Sequence, residues 1–446
     1  MALAPQTHSR ISLTLTYIKP NHTMLKIIFK NLWNRRRRNA WIAIELVLVT
    51  IISWVILDPA IVSISDSMQP LGYDADRIAL FFFSKRGNSE PDSLTSEREF
   101  RAVLSKIGSM EEVAALTPID SWGLPENRGI SLNQYSSPGD TAGTHSMEVG
   151  YWTGFDYFKT LGIEAASPAT DIEAISSHLG RTERVISESL ARRLFPDGSE
   201  PVGKKIKGYK DSLTVAGVVK DIRWQSWIRR SSCTFWNLNP ALEFPLQEWV
   251  VAARLRDGEN PDEFVSLCMS RLRHINTDNY FCTKATSYTD FISSTEEDAG
   301  ISTERNKLFI LASFFLINLV LGVVGSVYLS VQRRIGEIGV HRSYGATRRN
   351  IMTMLLGETA ILTVLSFLAG DLLYLQYALS NGLSSGHGNN RLFEAGNLWN
   401  EAFGTHFLLV SAIILAVLLI CTLAGSYLPS RSASRVNPVD SMRSNN

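Results

Sequence analysis

Four cysteines in 446 residues are too few for a disulfide framework. Cys421 lies inside an apolar run, where packing accounts for it. Cys233, Cys268 and Cys282 fall in a more polar stretch, and their odd number leaves at least one thiol unpaired; the sequence does not decide whether the others form a disulfide. No CxxC or Cys/His spacing is present, so no metal site is expected. The chain also lacks a phosphate-cradling loop. Its nearest approach, Pro201-Val-Gly-Lys-Lys, misses the Gly-x-x-x-x-Gly-Lys-Ser/Thr spacing that wraps backbone amides around a phosphate. HExxH, GxSxG and paired-carboxylate patterns are missing as well. The eight histidines are scattered, and neighbours such as Glu296 and Glu297 read as a solvated face. No catalytic residue, bound cofactor or enzyme activity is expected.

An excess of one charge is missing too. The net charge is +1, and the two signs are segregated along the chain. Mean hydropathy is +0.01, high for a soluble protein and low for one built mostly of membrane spans. A few spans plus one large water-soluble domain account for that value.

Four runs are long and apolar enough to cross a ~30 Å hydrocarbon core. They are Ala40–Leu57, with Glu45 as its sole charge; Leu308 to about Val331; Ile351 to about Leu379, carrying Glu358 and Asp371; and Phe407–Leu428. Short flanking segments set the orientation. Lys26, Lys30 and Arg35 to Arg38 precede the first span. Arg333, Arg334, Arg342, Arg348 and Arg349 lie between the second and third. Arg431, Arg435 and Arg443 follow the fourth, while the loop between the third and fourth has Arg391 alone. Both termini are therefore expected on the cytoplasmic side of the membrane. The first run exceeds the ~7–15 residues of a signal-peptide core and no A-x-A-like site follows it, so it reads as an uncleaved anchor. Residues 1–23 have no clear pattern and read as a disordered extension or an artefact of start-site choice, Met24 opening the better-patterned MLKIIFKNLWNRRRR.

The resulting map is a cytoplasmic segment 1–39, span 40–58, an extracytoplasmic domain 59–295, a stalk and second span 296–331, and a cytoplasmic loop 332–350. Span 351–379, an outer loop 380–406, span 407–428 and a cytoplasmic tail 429–446 complete it. The outer domain reads as mixed α/β. Arg77–Phe83 (strand), Ser96–Ile107 (helix) and Glu112–Thr117 (strand) form one βαβ-like unit. Glu248–Leu255, Asp262–His274 and Asn279–Thr283 repeat the pattern. Between them, Trp122 to Ala166 reads as β-rich with long loops, which suggests one domain built from both ends of the stretch. Glu296–Lys307, EEDAGISTERNK, is expected to carry the second span upward as a stalk, with Gly300 favouring the alternative of a flexible linker.

Acids in the spans have a functional reading, a proton or substrate path, and a structural one, interfacial hydration or a helix-to-helix hydrogen bond. A mid-bilayer charge costs ~2.5–3.5 kcal/mol on insertion scales, and the structural reading is the expected one for Glu45, Glu358 and Asp371. Gly322, Gly325 and Ser326 form a small-residue patch suited to close helix approach, and are expected dimer contacts.

Gln332–Glu358, QRRIGEIGVHRSYGATRRNIMTMLLGE, is basic but interleaves its charges with Ile335, Ile338 and Val340. A pure charge run would read as an anchor to anionic lipid; this one, His341 included, suits a docking surface for a cytoplasmic protein. The run Arg333 to Arg348, RRIGEIGVHRSYGATR, resembles the RRxEIGxxRAxGAxR signature of FtsX-like, MacB-type ABC permeases. One extra residue separates the paired arginines from Glu-Ile-Gly, and Ser343-Tyr344 replaces the more usual Ala-Leu or Ala-Val. Tyr157–Ile163 (YFKTLGI), Val185–Asp221 and Pro429–Asp440 resemble further stretches of the family, so the likeness covers nearly everything after residue 24.

What the resemblance implies is a type VII ABC permease of four spans with a MacB-like periplasmic core domain between the first two. The loop after the second span would carry a coupling helix docked on a separate ATPase, which would bind ATP and Mg. Glu337, Ile338, Gly339, Arg342, Gly345 and Ala346 would form that interface. Such permeases work as homo- or heterodimers, often by mechanotransmission, and some meet a periplasmic adaptor or outer-membrane factor. The implied function is export of an antibiotic, peptide, lipoprotein or lipid. The alternatives are a membrane regulator of a cell-wall hydrolase or sensor kinase, and a non-transporting scaffold. No nucleic-acid partner is expected.

Overall fold

Helix α1 (Arg36–Ser67) opens the computed structural model, which describes residues 36–87, 92–120, 123–127, 131–137, 143–208, 211–228, 230–238, 247–332, 338, 343–384, 399–400 and 402–434. The chain divides into two units. One comprises Met1–Asp58, Ile310–Leu383 and Phe403–Asn446, the other Pro59–Phe309 and Ser384–Ala402.

In the second unit, β1 (Ile78–Lys85), α2 (Ser93–Gly108) and β2 (Val113–Ile119) form the first α/β element. β3 (Ser131–Tyr135), β4 (Thr144–Tyr151), α3 (Tyr157–Leu161), α4 (Ile172–Ser177), β5 (Glu183–Ser187) and α5 (Glu188–Leu194) follow. Next come β6 (Lys205–Lys207), β7 (Ser212–Val219) and β8 (Cys233–Asn237). Then come β9 (Glu248–Leu255), α6 (Pro261–Ile275), β10 (Tyr280–Ser287) and α7 (Tyr288–Asp298).

The two predicted α/β elements are present, and they interlock. Their strands make one antiparallel sheet in the order β10-β1-β9-β2, the ferredoxin-like split βαβ arrangement. β1 sits between two strands from the far end of the domain, which is why IALFFF is apolar at consecutive positions. Ala79, Phe81 and Phe83 face a core shared with Phe100, Val103 and Ile107 of α2 and Phe264 and Cys268 of α6. Ile78 and Leu80 face the opposite core, with Val149, Phe158, Val185 and Phe235. Alternation across the pleat thus feeds two cores from one strand. Ala79 pairs with Ser287, so the start of β1 lies beside the end of β10.

The segment between the two elements is β-rich as expected, and it forms its own mixed sheet, β3-β4-β8-β5-β7-β6. Cys233, Cys268 and Cys282 are all buried and free. Burial pushes the Cys282 thiol up to about 11, and the Cys233 thiol also upward, so neither ionises near neutral pH.

Three more helices follow: α8 (Ile301–Gln332), α9 (Arg348–Asn381) and α10 (Phe403–Ser434). Within α1, α8, α9 and α10, the segments Ala40–Ser67, Ile301–Ser330, Arg348–Asn381 and Phe403–Ser434 are long and apolar enough to cross a membrane. α1 runs on through Pro59 to Ser67, past the predicted end of the first span. The stalk expectation requires correction. Glu296 to Asp298 close α7, Gly300 takes a left-handed φ of +76°, and a fresh helix starts at Ile301. Glycine adopts that conformation at no steric cost, and so the helix is interrupted there. Ile301–Lys307 alone is continuous with the second span.

Candidate functional site

In the first unit, the long helices meet through polar side chains. Trp54 of α1 donates its indole N–H to Asp371 Oδ1 of α9 at 2.9 Å. Ser411 of α10 donates to the same carboxylate, 3.0 Å from Oδ1. One acid thus joins three helices. The Trp54 ring is stacked between Tyr374 at 4.6 Å and Phe407 at 4.9 Å. Close by, His406 Nε2 and Asp58 Oδ1 are 2.7 Å apart, each side chain 2% exposed. At 1.5 Å per residue, Asp58 lies about 27 Å along α1 from Ala40 and Asp371 about 35 Å along α9 from Arg348. Both therefore fall near the far edge of a ~30 Å hydrocarbon slab, and His406 stands in the first turn of α10. A polar layer at one depth results.

Helix directions follow from the contacts. A Cβ on Gly370 would lie 2.9 Å from Val47 O and 2.8 Å from Thr50 Cβ, while Trp54 meets Tyr374, so α1 and α9 run the same way. Thr363 pairs with Thr422 and Asp371 with Ser411, so α10 runs opposite to α9. Gly370 is what allows the close approach of α1 and α9, as small residues do between membrane helices. Glu358 is buried on α9.

For Asp371 the contacts are those of a helix-to-helix hydrogen bond. Glu45 likewise accepts from Ser326 Oγ of α8 at 2.9 Å, and a Cβ on Gly322 would meet Glu45 Oε1 at 3.2 Å. Two of the three small residues expected at a dimer contact are thus turned toward α1 of the same chain. Gly325 has open space where a Cβ would stand. Sequence reasoning missed the Asp58–His406 pair. Each lies at the edge of an apolar run, and the signal available was their common depth on two spans.

The loop before α9 is described in part. Ile338 is 2% exposed. Gly345 has φ +91°, a left-handed conformation that glycine adopts at no steric cost. Ala346 follows, and the Thr347 side chain caps α9 by accepting from Asn350 N at 3.2 Å. Tyr344, noted in the sequence only as a departure from a pattern, is 88% exposed. Glu337, Gly339 and Arg342 lie outside the described residues, so the structure places three of the six expected interface residues and says nothing of the other three.

Residues 309–438 match the FtsX-like permease C-terminal family and residues 60–267 the MacB-like periplasmic core domain family. A relative from Agrobacterium fabrum, the macrolide export ATP-binding/permease protein MacB, is 27% identical over 315 residues, covering 65% of this chain and 42% of that protein. Its namesake from Burkholderia cenocepacia is 26% identical over 348 residues, covering 74% and 46%. The chain therefore spans less than half the length of these curated relatives. The crystallised periplasmic region of MacB from Actinobacillus actinomycetemcomitans is 13% identical, with 52% of this chain and 97% of that one covered at a TM-score of 0.30.

Proposed function

The chain belongs to the FtsX-like permeases that carry a MacB-like periplasmic core domain, a multi-pass membrane family, and from that membership we propose that it is the membrane-spanning subunit of an ABC transporter or mechanotransmission complex. The observation that carries this reading is the pairing, on one chain, of a permease C-terminal region at 309–438 with a periplasmic core domain at 60–267. ATP is hydrolysed by an ATPase that these residues do not supply, since no phosphate-binding loop occurs among them. The loop 332–350 docks on that ATPase from the cytoplasmic side of the inner membrane. Glu337, Gly339, Arg342, Gly345 and Ala346 form the contact, Ile338 being too buried at 2% exposure to offer it much surface, and Tyr344 adds an exposed aromatic of the kind that anchors interfaces. Two copies of the permease, or one copy with a related permease, assemble. Movement of the α/β domain drives extrusion of a substrate.

The test is to co-purify the chain with a candidate ABC ATPase subunit, as wild type and with Glu337→Ala, Arg342→Ala or Tyr344→Ala. Loss of assembly or of permease-dependent ATP turnover is expected. Undiminished assembly and turnover in all three variants would remove the loop from the coupling role.

A further inference from the structure

Arg223, in the connection between β7 and β8, is 1% exposed, and its guanidinium is surrounded by main-chain carbonyls. It donates to Asp66 O at 2.7 Å, Gln69 O at 2.9 Å and Ile228 O at 2.8 Å, and to Ser226 O. Asp66 is in the last turn of α1, whose carbonyls have no partner in the helix, so the cation closes that end and complements the helix dipole. Next to this clamp lies Glu126, fully buried and, among the described non-glycine residues, the one with positive φ, +73°. Such a backbone conformation is strained for a residue with a Cβ and persists where surrounding contacts over-determine it. Here the Glu126 N–H donates to Trp224 O at 2.6 Å, and Tyr288 Oη donates to Pro125 O at 2.9 Å.

The Glu126 carboxyl accepts from Tyr73 Oη at 3.1 Å. Its Oε2 is 3.4 Å from Ser226 Oγ, and the same hydroxyl is 2.9 Å from Glu296 Oε1 on α7. Glu296 in turn pairs with Arg305 of α8 at 3.2 Å. A serine hydroxyl has one hydrogen, so two carboxylates compete for it. If Glu126 carries a proton, the conflict disappears: Glu126 O–H donates to Ser226 Oγ, and Ser226 O–H donates to Glu296.

We propose that Glu126 is a proton-binding positioning residue, whose proton completes a Tyr73–Glu126–Ser226–Glu296–Arg305 chain that, with the Arg223 clamp, fixes the end of α1 to the root of α8. Loss of the proton leaves the serine serving one carboxylate and loosens that joint. The proposal goes beyond the transport reading and does not depend on it.

The groups facing Glu126 are Tyr73 ahead of β1, Tyr288 and Glu296 on α7, and Arg223. Asp66 and Arg230 act on Arg223, and Arg305 on Glu296. Burial lifts the Glu126 carboxyl to about 7; the Glu296 charge raises it as well, while the hydrogen bonds from Tyr73 and Ser226 work against the shift. Burial also holds the Tyr73 and Tyr288 phenols well above their ordinary value, so both stay neutral across the physiological range. Because the folded chain holds the proton more tightly than the unfolded one, this group's stabilising contribution is full below about 4.5 and falls as pH rises to about 7. Above that it is lost.

The experiment is hydrogen exchange by mass spectrometry on the full chain in lipid nanodiscs at pH 6 and pH 8, corrected for intrinsic rates. It follows peptides covering 62–73, 222–228 and 296–306. Between those pH values the protonated fraction of a group with pKa about 7 falls from about nine-tenths to about one-tenth. Protection of these peptides is expected to fall about tenfold. Glu126→Gln, which mimics the protonated acid, is expected to give a flat profile at the protected level. Glu296→Gln is expected to keep the transition but shift its midpoint to lower pH. A flat wild-type profile, or an unaltered slope in Glu126→Gln, overturns the proposal. Should Glu126→Gln fail to fold, an unmoved midpoint in Glu296→Gln overturns it as well.

Discussion

Replacing Trp54 by Phe removes one hydrogen bond from the polar layer and leaves most of its ring stack standing. The indole N–H lost is the one 2.9 Å from Asp371 Oδ1. Ser411 remains on that carboxylate at 3.0 Å, so the acid keeps one donor from a neighbouring helix. Hydrogen bonds between membrane helices average ~0.6 kcal/mol and reach ~1.7. Those to charged acceptors in soluble proteins run to about 1.5–3 kcal/mol. A coupling of about 1.5 kcal/mol between Trp54 and Asp371 falls where these two ranges meet. The stack with Tyr374 and Phe407 contributes about 0.5–1.5 kcal/mol per ring pair, and the smaller phenyl forfeits part of it. That loss occurs whether or not Asp371 is present, so it cancels in a double-mutant cycle of Trp54→Phe with Asp371→Ala. The cycle is read from unfolding in mixed SDS micelles, followed by far-UV circular dichroism. Additivity within about 0.3 kcal/mol would refute the assignment of this hydrogen bond as a helix-joining contact.

Gly72 has φ +83°, and a Cβ there would lie 2.3 Å from Asp221 O; Gly72→Ala is expected to destabilise the chain by more than about 2 kcal/mol, seen as a lowered melting midpoint. Gly370→Leu is expected to force α1 and α9 apart and cut the yield of folded protein in detergent, whereas yield equal to wild type would show that this crossing tolerates separation. Because the cysteines are free and, in three cases, buried, native protein is expected to leave Cys233, Cys268 and Cys282 unlabelled by a maleimide. Unfolding in SDS without reductant is expected to expose all four thiols, and a missing pair would reveal a disulfide.

The spans were legible because a bilayer demands one long apolar run per crossing, and each run has few interruptions. The outer α/β elements were legible for a related reason: β1 and β9 are buried on both faces, so their composition alone marks them. Strand order was not legible. Nothing local in IALFFF says that its neighbours are Tyr280–Ser287 and Glu248–Leu255, because each pairing closes a loop of roughly 160 to 210 residues, far beyond the span of a local pattern. Gly300 is legible as a glycine, but the helix-forming residues around it do not reveal that its φ is positive. Asp58 and His406 are not legible one run at a time, because their pairing depends on a shared depth on two helices. In the loop, the exposure of Tyr344 depends on what the rest of the chain leaves uncovered.

The interlocked sheet has a mechanical consequence. Ala79 faces Ser287, so the chain enters β1 and leaves β10 at the same end of two neighbouring strands. A load that draws α1 and α7 apart would therefore peel this pair open from its end, one backbone hydrogen bond after another, instead of shearing all of them together. Peeling responds gradually to a small displacement, and it leaves the pairs of β1 with β9 untouched. Such a load would meet a strand pair that opens bond by bond, while β1 stays held by β9.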